Sequence, residues 1–182
     1  MKRGLAGILL AMLSLIAMAY AADAPPEPGG YRTDNYRAPV PATLKGARVL
    51  TTRDAEALWR ARSAVFVDVL PHPPKPANLP PDTVWRDKPR QNIPGSIWLP
   101  DTGYGGLANV TENYLRSGLA HATQGDRTKL LVFYCQADCW MSWNAAKRAM
   151  SMGYAHVAWF PDGTDGWQKA DLPMTEAQPE PH

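Results

Sequence analysis

The chain has 182 residues, 45% of them hydrophobic and 20% charged, with a formal net charge of +2. That length supports one domain with a sizeable core. The near-neutral charge excludes a general attraction to nucleic acid or anionic lipid, so no nucleic-acid partner is expected.

The first 21 residues read as a secretory signal peptide. Lys2 and Arg3 precede an apolar run from Leu5 to about Ala19, and Ala19-Tyr20-Ala21 fits an A-x-A processing site. Processing there predicts export to the periplasm and no stable membrane insertion afterwards. An exported chain with two cysteines, Cys135 and Cys139, more often holds one disulfide than two free thiols. Residues 22–46, rich in proline and glycine, predict an irregular arm, and residues 175–182 a flexible tail.

Between these ends, short apolar segments alternate with helical patterns. "ARVLT" from Ala47 is a short strand, and "TRDAEALWRA" is a helix capped by Thr51 or Thr52, with early acids at Asp54 and Glu56. "AVFVDVL", Ala64 to Leu70, has the continuous hydrophobicity of a strand covered on both faces. An insertion with seven prolines between Leu70 and Asn92 follows. It reads either as a lid or docking strip for a protein partner, or as a passive surface loop. "SIWLP" is a strand, "LANVTENYLRSGL" a helix, and "LLVFYC" a buried strand. "SWNAAKRAMSM" is a helix closed by Gly153, and "HVAWF" is a last strand. The alternation predicts a mostly parallel sheet with helices on both sides.

Ligands of open parallel sheets bind at the carboxyl ends of strands, where Cys135 falls. Backbone N–H groups of a strand-to-helix loop, with the dipole of the next helix, favour a thiolate there. Cys139 admits three readings: a structural staple, a resolving partner in a reversible dithiol–disulfide pair, or the thiol that releases sulfur from a persulfide on Cys135. Asp138 can orient a thiol or form a turn. Trp140 and Trp143 can wall a site or pack the loop over the sheet. Asp162 and Asp165 fit a turn near the same strand ends. No metal site or cofactor is expected. The four histidines lack ligand spacing, Trp140 stands where a c-type haem needs histidine, and Met141, Met150 and Met152 fit core and helix-face positions.

"VFYC" with its loop, then Ser142, Ala145 and Ala146, "G-Y-x-x-V" from Gly153, and "D-G-x-x-x-W" (Asp162, Gly163, Trp167) resemble the catalytic half of a rhodanese domain. "VFVDVL" with Asp68 and "QNIPGSIWLP" resemble two further segments of that fold. More narrowly, "YCQADCWMSWNAAKRAMSMGY" with "WFPDGTDGW" is similar to the PQQ-dependent catabolism-associated CXXCW motif proteins, secreted members of the rhodanese-like family. The resemblance implies an α/β, rhodanese-like domain over residues 47–174, with a central, mostly parallel five-stranded sheet and helices on both faces. It implies Cys135 as nucleophile, with Cys139 and Asp138 beside it. Gln136, Ala137, Trp140, Met141 and Ser142 would form the substrate-binding loop, supported by Asp68, Asp162, Gly163 and Trp167. It also implies an accessory role, with a periplasmic protein partner, in quinoprotein alcohol oxidation.

Four departures bear on chemistry. Ser142 follows Cys135 by seven positions rather than the six usual in sulfurtransferase rhodaneses. Met141 stands where a phosphatase of this type has a phosphate-clamping arginine, which sets phosphatase activity aside. "LPHPP" replaces the arginine after the Asp68 strand, and Asn92 replaces a histidine. Weak or absent thiosulfate turnover is expected.

Overall fold

Apolar residues that alternate along short strands give one sheet two packed faces. The computed structural model describes residues 24–73, 76, 78–80, 82–84 and 89–181, so the expected signal peptide, residues 1–21, lies outside the described residues. Strands β1 (Arg48–Val49), β2 (Val65–Asp68), β4 (Ile97–Trp98), β5 (Leu131–Tyr134) and β6 (Val157–Trp159) form a five-stranded parallel sheet in the order β1-β6-β5-β2-β4. Among the described residues four helices accompany them: α1 (Thr52–Arg60), α2 (Asn109–Thr123), α3 (Trp140–Ser151) and α4 (Gly163–Lys169). Two further strands, β3 (Arg90–Asn92) and β7 (Thr175–Ala177), make an antiparallel pair.

On one sheet face Val67, Leu131, Phe133, Val157 and Trp159 pack with Leu115 and Leu119 of α2 and with Trp143, Ala145, Ala146 and Ala149 of α3. On the other, Phe66, Val132, Tyr134 and Ala158 pack with Ala55 and Trp59 of α1 and Trp167 of α4. The period-2 alternation along β5 and β6 sorts these side chains, and burial of both faces explains the unbroken hydrophobic run at 131–134.

Local chemistry sets the helix ends. Thr51 caps α1 through a capping box in which its hydroxyl accepts from the Asp54 amide while the Asp54 carboxylate accepts from the Thr51 amide. α3 starts at Trp140, two residues before the expected Ser142, and Gly153 follows its end at φ +90°, which only glycine adopts freely.

The described arm and the tail depart from the looseness their composition suggests. Arm residues 24–46 lack a regular helix or strand but dock along α3 (below). The predicted flexible tail instead pairs as β7 with β3. Beyond it the Glu180 amide donates to the Trp98 carbonyl at 2.9 Å, and the Glu180 carbonyl accepts from Tyr114 Oη at 2.7 Å. Polar residues conceal this contact in the sequence, because backbone groups and not side-chain burial make it. No helix among the described residues is long and apolar enough to cross a membrane.

Candidate functional site

β5 is the central strand and ends at Tyr134, so Cys135 leaves the sheet at its carboxyl edge, and Cys139 immediately precedes α3. The two are joined by a disulfide with Cα atoms 6.5 Å apart. Both are inaccessible: Cys135 is 0% exposed and Cys139 2%.

Different parts of the molecule hold the two ends of the loop. At the Cys135 end, the Cys135 carbonyl accepts from the Thr164 amide (3.0 Å), the Thr164 hydroxyl (3.1 Å) and Arg90 Nη2 (3.4 Å). Gly163 bridges Gln136 at φ +50°, and a Cβ at Gly163 would strike the Cys135 and Gln136 backbone. At the Cys139 end, the arm runs antiparallel to the loop, with Arg37 bridged to Cys139. The Trp140 amide donates to the Tyr36 carbonyl at 2.9 Å, and the Ala38 amide to the Asp138 carbonyl at 3.1 Å. Tyr36, Ala38 and Val40 pack against the core cluster that contains both cysteines.

α3 supplies the other arm contacts. Trp140 Nε1 donates to the Pro39 carbonyl and Trp143 Nε1 to the Thr43 carbonyl. Asn144 bonds both the amide and the carbonyl of Arg32, while the Arg32 guanidinium lies 5.3 Å from the Trp140 ring centroid. Trp140 and Trp143 therefore pack edge to face under the arm, both buried.

The proposed loop residues divide by burial. Met141 and Ser142 are buried, and Ser142 links the Cys139 carbonyl to Trp159 Nε1. Gln136 and Ala137 are half-buried, and Asp138 is exposed in a left-handed turn at φ +50°. The Ala137 amide donates to Asp165 Oδ2 at 3.2 Å. The expected anion nest is thus already filled in part: Asp165 occupies one donor and Tyr36 another. Asp162 precedes α4, a short helix that the sequence reads as a turn, and Trp167 is buried against Trp59 and Phe66.

Asp68, at the end of β2, is buried beside this loop. Its Oδ1 accepts from the Leu70 amide at 2.9 Å, and its Oδ2 pairs with Arg90 Nε at 2.7 Å. Burial outweighs the favourable field of Arg90 and pushes its carboxyl up to about 6. The cation missing after the Asp68 strand is therefore supplied from the far end of the proline-rich insertion. Arg90, Thr164 and the arm residues Tyr36–Pro39 are the site residues that sequence reasoning missed. Arg90 lies two residues before Asn92 in the resembling "QNIPG" segment, and that proximity was the available clue.

Asn92, in the expected position of a histidine, is buried. Its Oδ1 accepts from the Ile93 amide and from Tyr134 Oη, which also reaches Ser96. A cavity of about 320 Å³ opens between the insertion and the loop, lined by Leu70, Pro71, Pro89, Arg90, Trp98 and Gln136 among others. Another, of about 480 Å³, lies on the Asp165 side beside Thr52, Ala137 and Lys169. A third cavity, about 680 Å³ near Trp59 and Arg62, includes no residue of the cysteine loop. Among the described residues no three His, Cys, Asp or Glu side chains gather as a metal site.

The parallel sheet, the strand-end cysteine and the supporting aspartate define a rhodanese-type architecture. A family model, the rhodanese-like domain, matches residues 52–170, and the chain belongs to that family. Among solved structures it is similar to the thiosulfate sulfurtransferase from Pseudomonas aeruginosa, with a TM-score of 0.50 and 20% identity over 74% of this chain and 21% of that one. It thus spans about a fifth of that protein's length. It is also similar to the polysulfide-sulfur transferase homodimer from Wolinella succinogenes, with a TM-score of 0.46 and 17% identity over 75% of this chain and 84% of that one. At such identities the likeness concerns fold alone. No curated protein sequence matches the chain.

Proposed function

We propose that the protein is a periplasmic thiol–disulfide redox protein, an accessory of PQQ-dependent alcohol catabolism, in which Cys135 and Cys139 cycle between dithiol and disulfide. The observation that carries this reading is the bond between Cys135, at the strand end where the fold presents a nucleophile, and Cys139, at the start of α3. The resemblance of "CQADCW" and its surroundings to the CXXCW motif proteins supports the compartment and the pathway class.

In the forward half-reaction the Cys135 thiolate attacks a partner disulfide and one partner thiolate leaves. The Cys139 thiolate then attacks Cys135 Sγ in the mixed disulfide, expels the second partner thiolate and closes the Cys135–Cys139 bond. Two electrons pass from the protein dithiol to the partner. Because the arm covers the bond, exchange also requires Tyr36–Ala38 to shift.

A second reading is favoured by the family itself. A persulfide on Cys135 is attacked at its inner sulfur by the Cys139 thiolate, which releases hydrosulfide and closes the same bond.

Equilibration with graded thiol–disulfide couples, followed by alkylation and peptide mass measurement, tests the redox reading. A potential above about −300 mV is expected. A bond that stays closed below that value overturns cycling and leaves a binding module with a structural disulfide. Stoichiometric hydrosulfide release from a persulfide donor, lost in Cys139→Ser, would select sulfur transfer instead.

A further inference from the structure

We propose that Arg90 is the positioning residue of Cys135. It arrives from the far end of the proline-rich insertion and couples that insertion to the ionisation of the strand-end thiol. The inference rests on Cys135 acting as the reactive thiol, as proposed above, and adds the group that tunes it.

The Arg90 side chain is 10% exposed and that of its partner Asp68 is 0% exposed, so the pair is shielded from solvent and from salt. Asp68 fixes the guanidinium through Nε at 2.7 Å and is itself held by the Leu70 amide. This orientation sends Nη2 to the Cys135 carbonyl and the Thr164 hydroxyl, each at 3.4 Å. Thr164 completes the clamp by donating both its amide and its hydroxyl to the same carbonyl.

Two consequences follow. The carbonyl is held by three donors, so the backbone that carries Cys135 Sγ is fixed independently of the disulfide. A cation with little solvent exposure also stands 3.4 Å from the Cys135 carbonyl, whereas the charged groups that flank Cys139, Arg37 of the arm and Asp138, are both exposed to solvent, and Asp165 meets the loop between them at the Ala137 amide. A nearby cation favours a thiolate, most strongly where solvent does not screen it. Arg90 also lines the 320 Å³ cavity with Gln136, so a group that enters there lies beside the residue that holds Cys135.

The test uses reduced, full-length protein with ¹³C-labelled cysteine, in which the two Cβ shifts report each thiol's ionisation without requiring access to it. In Arg90→Met the Cys135 midpoint is expected to rise by about one pH unit, leaving roughly tenfold less thiolate at neutral pH, while the Cys139 midpoint stays within a few tenths. Arg90→Lys keeps the charge without the fork and restores most of the shift. Asp68→Asn removes the compensating anion and moves Cys135 the opposite way, downward. This variant carries the test if Arg90→Met does not fold.

An unchanged Cys135 midpoint in folded Arg90→Met, equal shifts at both cysteines, or an upward shift in Asp68→Asn would overturn the assignment and leave Arg90 a structural tie. The titration needs no partner and no turnover. A disulfide that fails to cycle, the failure of the functional reading, therefore shows separately in the redox equilibration.

Discussion

The N-terminal arm and the insertion between β2 and β3 are both rich in proline, and the arm and the described ends of the insertion lie beside the cysteine loop, yet they are fastened differently. The arm is held along α3 by side chains that donate into its backbone: Trp140 to Pro39, Trp143 to Thr43, Asn144 to Arg32 and Lys147 to Pro28. The described ends of the insertion are held at Leu70, whose carbonyl accepts from Trp98 Nε1, and at Arg90, which is itself the donor to Asp68 and Cys135. A proline has no N–H, so a proline-rich segment docks chiefly as an acceptor and needs donors on the surface that receives it. Indoles repeatedly serve that purpose here, since Trp59 and Trp167 also donate to the proline carbonyls of Pro94 and Pro173. The arm consequently governs the Cys139 end of the loop and the insertion governs the Cys135 end.

The largest expected effect is at the arm's central anchor. Trp143 is fully buried and bonds Thr43, so Trp143→Ala should lower the unfolding free energy by about 3–5 kcal/mol and free the arm to proteolysis. Urea denaturation and tryptic cleavage at Arg37 measure the two effects. A folded variant whose arm stays protected would show that the neighbouring donors suffice. At the other end, Gly163→Ala should cost about 3 kcal/mol through left-handed strain and collision with the Cys135 backbone. If that variant were as stable as the parent, the Cys135 end would be softer than its hydrogen bonds imply.

Asn144→Ala sharpens the comparison, because it removes hydrogen bonds to the arm without emptying the core. Two of its bonds go to Arg32 and one to the Gly103 carbonyl. A loss of about 2–3 kcal/mol is expected, with faster amide exchange at Arg32 and Trp140 and unchanged exchange along β5. Uniform acceleration would mean that the arm and the sheet open together.

These contacts mark what the sequence could and could not disclose. β5 and α3 were legible because continuous burial at 131–134 and small residues at Ala145, Ala146 and Ala149 leave a pattern along the chain. The strand-end position of Cys135 followed from the order of elements. α4 was not legible: "GTDGWQK" is poor in helix formers and holds its place through Thr164 and Trp167. The β3–β7 pair carries no apolar alternation, and the arm's docking is made of backbone carbonyls, which have no sequence identity. Arg90 was hidden differently, since its partner Asp68 lies 22 residues earlier, across the insertion.

That last pair yields the smallest effect and the one with a defined direction in pH. Burial raises the Asp68 carboxyl from its ordinary value of 3.8 to about 6. The folded protein therefore binds this proton more tightly than the unfolded chain, and the associated stability is fully present below pH 3.8 and is lost as pH rises through about 6. Other carboxylates oppose this trend: hydrogen bonds to Thr51 and Thr128 hold Asp54 and Asp126 low, so the whole-protein profile hides the contribution. Comparison with Asp68→Asn isolates it. The stability of the parent relative to that variant should fall by on the order of 2 kcal/mol between pH 4 and pH 7 and level off above. In Arg90→Met, which deprives the carboxylate of its cation, the fall should move to higher pH. A difference profile that is flat, or that rises with pH, would mean that Arg90 compensates the buried charge fully. The insertion would then hold the Cys135 end of the loop as firmly at neutral pH as α3 holds the arm.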